Sequence, residues 1–315
     1  MTSTPVKAKD LRQRRRKLPQ GTLELLLMAM PAILLVFVFS YLPMYGIVLA
    51  FKNFIPSKGI LGSDWVGFQN FEFFFKSLDA WRITRNTIGL NVLFITSGLI
   101  ICVGFALLLF EIRQRTTVKI FQTAMMLPNF LSWVVVGYMT YAFLNPSLGI
   151  LNRVLLSMGL EKVEWYLRAE YWPWILLIVS IWKGAGAGSV IYYAALMGID
   201  PEYFEAARID GASGFQVATR ITLPFLVPYM TIMTILAIGG IFRSDFGMFY
   251  NLTRNVGALY RTTDVIDTYV YRALREMGEI GMSSAVGLFQ SVVGFVLVLV
   301  TNFVVNRIDS DNALM

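Results

Sequence analysis

The chain has 315 residues, 56% of them hydrophobic and 15% charged, with a formal net charge of +7. A water-soluble domain carries roughly a quarter charged residues, so the apolar excess is surface for lipid rather than a larger core. The absence of histidine excludes imidazole acid–base chemistry and histidine metal ligands, and the single cysteine, Cys102, excludes an intrachain disulfide.

The positive charge gathers at the start of the chain, in Arg12, Arg14, Arg15, Arg16 and Lys17. A basic run just ahead of a long apolar stretch is the signal that holds a leading segment, here residues 1–22, on the cytoplasmic side. It is read as a membrane anchor signal, with no nucleic-acid partner. The apolar stretch 23–51 is too long for a signal-peptide core of about 7–15 residues and lacks a small-residue cleavage site. It is a retained first span.

A bilayer crossing takes about 20 apolar residues in a helix. Five further windows satisfy this: 86–110, 118–144, 173–196, 225–249 and 283–305. Pro31 and Pro43 interrupt the first window, Pro128 the third and Pro228 the fifth. Each frees a carbonyl that neighbouring helices must satisfy. The expected fold is an all-α integral membrane protein with six transmembrane helices over residues 23–307 and a tail at 308–315.

With six spans, both termini face the cytoplasm, together with loops 111–117 and 197–224. Loops 52–85, 145–172 and 250–282 then lie outside. Apart from the N-terminal run the outer loops hold more Lys and Arg than the inner ones, so the orientation rests on the first helix. Outer loops of this length point to a surface that meets something beyond the membrane.

Within the fourth window, Gly184-Ala-Gly-Ala-Gly188 has no strand before it and lies in an apolar helix, so it reads as a close-packing stripe rather than a phosphate loop. Lys183 in that window, and Arg243 and Asp245 in the fifth, are costly in lipid and mark either a polar cavity or pairing within the bundle. No Gly-x-x-x-x-Gly-Lys-Ser/Thr run and no Gly-Lys dipeptide occurs, so the chain has no ATP phosphate cradle. No nucleophile–base pair and no metal-ligand cluster is present either. Neither catalytic nor metal-binding residues are expected, and no cofactor on this chain.

The loop 197–224 is the most informative segment. Asp200-Pro201-Glu202 opens like a helix: Asp200 caps, Pro201 suits the first helical position, and Glu202 sits where the helix dipole favours an anion. Tyr203, Phe204, Ala206 and Ala207 then form an apolar side, with Glu205, Arg208 and Asp210 around the rest. Gly211 is placed to end the helix in a left-handed turn. A second helical stretch, 213–219, leads into Ile221-Thr-Leu-Pro224 and the fifth window.

The order Glu205-Ala206-Ala207, Asp210-Gly211-Ala212 and Leu223-Pro224 resembles the EAA coupling loop of importer permeases driven by ATP-binding cassettes. Ala218 stands where many relatives carry a bulky aromatic, the nearest here being Phe215. Three further stretches look like the oligo- and polysaccharide branch of that superfamily, which includes alginate and lipoprotein-associated sugar systems. They are Phe39-Ser-Tyr-Leu-Pro-Met-Tyr-Gly-Ile47, Trp65-Val-Gly-Phe-Gln-Asn-Phe71 and Leu127-Pro-Asn-Phe-Leu-Ser-Trp-Val-Val-Val136.

The resemblance implies the type I importer permease fold, as a multi-pass protein of the bacterial inner membrane. It implies that Tyr203, Phe204, Glu205, Ala206, Ala207, Asp210, Gly211 and Ala212 contact an ATPase. The partners would be a second homologous permease, two ATP-binding-cassette subunits that carry ATP and Mg, an external solute-binding protein, a carbohydrate substrate and membrane lipid. Sugars bind through hydroxyl hydrogen bonds and ring stacking on aromatics, so Asn129, Trp133, Tyr138, Tyr141, Trp182, Lys183 and Tyr192 are candidates for the substrate path. Packing or an interfacial aromatic belt is the alternative reading of each. Two rival functions are an ion-gradient-driven secondary transporter, which would need an intramembrane acid such as Asp245, and a non-transporting membrane scaffold.

Overall fold

A computed structural model describes residues 22–77 and 79–308. The basic run at 12–17 and the tail from residue 309 lie outside the described residues. The chain forms two compact units, Met1–Val48 and Leu49–Met315.

In the first unit, α1 (Thr22–Val36) passes directly into a π-helical turn, Phe37–Tyr41, and then into a 3-10 stretch that opens at Leu42. Pro43 explains the change of winding. It has no N–H, and its ring crowds the carbonyl four residues back, so the regular ladder cannot continue through it.

In the second unit, β1 (Lys52–Asn53) and β2 (Asp64–Trp65) form a small antiparallel ribbon. The ammonium of Lys52 is buried there and donates to the carbonyls of Ile60 and Leu61 at 2.8 and 3.0 Å. The remaining elements are helical, the principal ones being α2 (Ala80–Glu111), α3 (Arg115–Met126), α4 (Trp133–Leu144), α5 (Trp172–Leu196), α6 (Pro201–Ile209), α7 (Leu223–Gly239), α8 (Phe246–Thr253), α9 (Ile266–Arg272) and α10 (Ile280–Ile308).

Among the described residues five helical runs are long and apolar enough to cross a membrane: Glu24–Phe51, Ala80–Glu111, Ala169–Leu196, Gly214–Gly239 and Ile280–Arg307. The third sequence window is not a straight crossing. Arg115–Phe130 and Trp133–Leu144 meet at 94°, so they make a sixth span only as a bent pair. The break follows from local chemistry. A 3-10 turn containing Pro128 ends at Phe130, and Ser132 is extended and caps the next helix, its Oγ accepting from the Val135 N–H at 3.3 Å.

The fifth window also ends early. Helix α7 stops at Gly239, and the apolar residues that extended the window to 249 belong to the separate helix α8. Met248, Phe249 and Leu252 of α8 are buried with Leu90, Val136, Leu144 and Trp172. They are core residues rather than lipid-facing ones. Gly137 on α4 makes this packing possible, because a Cβ there would lie 2.8 Å from the Asn251 carbonyl oxygen.

The glycine stripe on α5 packs as small residues in membrane helices do. A Cβ at Gly186 would overlap the Met125 carbonyl, and one at Gly188 would stand 2.6 Å from Cys102 Sγ on α2.

Candidate functional site

Helix α6 is built by its caps. Asp200 Oδ1 accepts from the Glu202 N–H at 3.0 Å, and Pro201 follows at the first turn. At the other end Gly211 takes φ +73°. The Gly211 N–H donates to the Arg208 carbonyl at 3.1 Å and the Ala212 N–H to the Ala207 carbonyl at 2.9 Å, the paired bonds of a Schellman stop. A capping box then restarts the chain: Gln216 Oε1 accepts from the Ser213 N–H at 2.8 Å, and Ser213 Oγ accepts from the Gln216 N–H at 3.3 Å. Helix continues from there through the π turn Ala218–Thr222 into α7, so α6 and its turn sit at the end of one long helical run.

The eight residues predicted in this segment divide between two faces. Phe204 packs on Phe110 at 5.3 Å between ring centroids, Tyr203 packs on Phe225 at 5.4 Å while staying exposed, and Ala207 is buried. Ala212 is half-buried, whereas Glu205, Ala206, Asp210 and Gly211 face outward. Two further outward residues were not among those eight: Ile209, 87% exposed, and Phe215, 79% exposed. They flank the Gly211 turn and make part of the outer face apolar. Ile209 lies on the helix side opposite the half-buried Phe204, a signal available from the 3.6-residue period alone. Grooves of about 470 and 520 Å³ run along either side of α6. Phe110, Arg113 and Glu205 line the first, and Asp210, Gln216 and Arg220 the second.

The predicted path residues are brought together in part. Lys183 donates to the Asn129 carbonyl at 2.9 Å and lies 5.0 Å from the centre of the Trp133 ring. That carbonyl is freed where the third window breaks, so Lys183 satisfies a backbone group the bend would otherwise orphan. Trp133 Nε1–H donates to Asp245 Oδ2 at 2.5 Å. Asp245 lies past the end of α7 and caps α8, its Oδ1 accepting from the Met248 N–H at 3.1 Å. Arg243 donates to Ser291 Oγ at 2.8 Å.

Tyr138 and Tyr141 line a second cluster, a cavity of about 160 Å³ shared with Gly137, Tyr250, Asn251 and Arg254. Trp182 is exposed on α5. Tyr192 is buried among Val103, Ala106, Leu196 and Leu226, in the helix core rather than in either polar cluster. Behind the cavity, Tyr166 donates to the Leu252 carbonyl at 3.2 Å. Burial pushes its phenol up to about 12 despite the pull of Arg254, so it remains a neutral donor at physiological pH.

Several apolar helical runs, a sharply bent helix pair and a capped helix between two of the runs make this a polytopic membrane protein. A family model described as a binding-protein-dependent transport system inner membrane component matches residues 98–310. Protein LplB of Bacillus subtilis (strain 168) is 35% identical over 290 residues, covering 91% of this chain and 90% of LplB. The polygalacturonan/rhamnogalacturonan transport system permease protein YteP of the same organism is 34% identical over 278 residues, covering 88% of this chain and 86% of YteP. Among solved structures, a chain of a bacterial alginate ABC transporter, in complex with an alginate pentasaccharide-bound periplasmic protein, matches with a TM-score of 0.81 and 34% identity. The match covers 91% of this chain and 95% of that one. This chain belongs to the family of inner membrane components of binding-protein-dependent transport systems.

Proposed function

We propose that this chain is the permease subunit of an ATP-driven carbohydrate importer in a bacterial cytoplasmic membrane, forming half of the translocation path. The observation that carries the reading is the outward face of α6 and its turn. Glu205, Ala206, Ile209, Asp210 and Phe215 are exposed on a short helix stopped by Gly211, on its turn, and on the start of the helical run Gly214–Gly239 that follows as a candidate span. A short helix fastened to a span transmits a push or pull as a rigid body, which a flexible loop does not. An ATP-binding-cassette subunit would grip this face, Glu205 and Asp210 giving polar contacts and Ile209 and Phe215 apolar ones. ATP and Mg would be held by that subunit.

The carbohydrate cargo is supported by the relatives, whose names specify polygalacturonan/rhamnogalacturonan and alginate. The other partners in this reading are a second homologous permease, a second ATPase copy and an external solute-binding protein. Residues 197–224 would lie in the cytoplasm. The ion-gradient alternative loses support because its acidic candidate, Asp245, is committed to the cap of α8 and to Trp133.

The test is ATP-driven uptake of labelled oligogalacturonide into vesicles carrying the whole complex and its binding protein. Glu205→Lys reverses a charge on the gripped face. Gly211→Pro demands φ near −65° where the chain needs +73° and deletes the N–H that bonds Arg208. Both variants are expected to abolish uptake with membrane insertion unchanged, and Ala206→Cys is expected to cross-link to the ATPase subunit. Uptake that persists in both variants with an unchanged ATPase association refutes the reading.

A further inference from the structure

The cavity beside α8 has an unusual wall. Arg254 follows the last residue of α8 with φ +54°, and Asn255 follows it with φ +52°. Two successive side-chain-bearing residues in the left-handed region are costly, and glycine is the usual solution at such a helix end.

The turn is held in place from behind. Asn255 Oδ1 accepts from Tyr260 Oη at 2.9 Å and from Arg272 Nη1 at 3.2 Å, and the Asn255 N–H donates to Thr253 Oγ1 at 3.3 Å. Arg272 is itself fastened to the buried Asp264 at 2.6 Å. This rigid turn lays the Arg254 guanidinium on the face of Tyr141, 4.0 Å from the ring centre. Such stacking fixes the plane of the fork while leaving its N–H edge free to bond. Arg254 is exposed, and among the described residues it forms no ion pair.

The rest of the wall suits a sugar. Tyr138 is 69% exposed, and Tyr250 also borders the space. Asn251 donates to the Gly247 carbonyl at 2.7 Å, which leaves its amide oxygen without a hydrogen-bond partner among the described residues. Aromatic faces, an amide oxygen and an oriented guanidinium are the groups needed for a pyranose ring bearing a carboxylate. The volume, about 160 Å³, suits one ring of a chain rather than a whole oligosaccharide. A lone guanidinium matches the single charge of a uronate better than the double charge of a phosphate ester.

We infer that Arg254, with Tyr138, Tyr141, Tyr250 and Asn251, forms a subsite for one uronic-acid residue, so that the cargo is an acidic oligosaccharide. This inference rests on the carbohydrate-importer reading above.

The test uses the whole purified importer without its binding protein. Saturation-transfer NMR is read on trigalacturonate and, separately, on its fully methyl-esterified form at millimolar concentration. The wild type is expected to transfer strongly to the acid and weakly to the ester. Arg254→Gln is expected to lower the acid signal by about tenfold, toward the ester level, as loss of one charge-assisted contact predicts. Arg254→Lys is expected to restore part of it, and Tyr138→Ala to weaken both probes alike. Retained ATPase copurification shows that the variants are assembled.

Equal acid signals from the wild type and Arg254→Gln, or an ester signal as strong as the acid signal, overturn the subsite. If ATP-driven uptake of oligogalacturonide is intact in either case, only the Arg254 assignment falls. Absence of ATP-driven uptake of any saccharide by the wild-type complex removes the importer reading as well.

Discussion

Asp264→Ala offers the sharpest test of how the 240–279 segment is held. The Asp264 side chain is fully buried. It accepts from Arg272 Nη2 at 2.6 and 2.7 Å, from Thr268 Oγ1 at 3.0 Å and from Arg82 Nη2 at 3.5 Å. Arg272 is only 10% exposed and lies 4.1 Å from the centre of the Tyr260 ring. Removing the carboxylate leaves that guanidinium without its ion-pair partner in a site nearly closed to water, where its Nη1 keeps the bond to Asn255 Oδ1. Breaking one side of a buried pair costs roughly 3–5 kcal/mol, and the lost Thr268 bond adds about 0.5–1.5 kcal/mol. Arg82 is one-third exposed and keeps its ion pair with Asp79 at 2.8 Å, so it adds little.

Denaturant titration in detergent, followed by tryptophan fluorescence, should therefore show Asp264→Ala destabilised by about 3.5–6.5 kcal/mol at unchanged slope. The double variant Asp264→Leu/Arg272→Met removes both charges and is expected to recover most of that loss. A loss below about 1 kcal/mol for Asp264→Ala would mean the pair is worth no more than a surface one, and the account of how Asn255 and Arg254 are anchored would fail with it.

The remaining predictions concern packing and pH. Gly186→Val should sharply reduce folded yield in size-exclusion chromatography, because its Cβ meets the Met125 backbone, which cannot swing aside. Gly184→Val, where a Cβ meets nothing within 4 Å, should behave like the wild type. Equal yields would show that α5 does not need the contact at Gly186. Asp267 makes the pH prediction: burial raises its carboxyl above the ordinary 3.8, partly offset by the Ser244 N–H that donates to it at 2.7 Å. The folded state then holds a proton the unfolded state has released. Its contribution is full below 3.8 and is lost as pH rises through the raised value. Melting temperatures across the acid range should fall with rising pH more steeply in the wild type than in Asp267→Asn, and parallel profiles would contradict this.

Short-range chemistry made α6 readable in the sequence. Asp200, Pro201 and Gly211 act within a turn of where they stand, and each has the role its residue type predicts. The apolar windows were readable because hydropathy reports length of contact with lipid or core. The same measure misled at 240–249, where the apolar residues of α8 look like a continued span. Hydropathy does not distinguish burial against lipid from burial against α4. Pro128 marked an interruption in the third window, but the 94° break belongs to the assembled fold, where Lys183 takes the freed Asn129 carbonyl and Trp133 reaches Asp245.

Sequence alone determined that the chain is a helical membrane protein, that it has six apolar windows, and that a capped helix lies between the fourth and the fifth. Tertiary structure decided which polar groups share a site. Arg82 meets Asp264 across 182 residues, and Tyr141 meets Arg254 only because Gly137 lets α8 settle against α4. Local pattern encodes caps and lipid exposure, whereas pairing of charges at such separations depends on the folded backbone that carries them to one place.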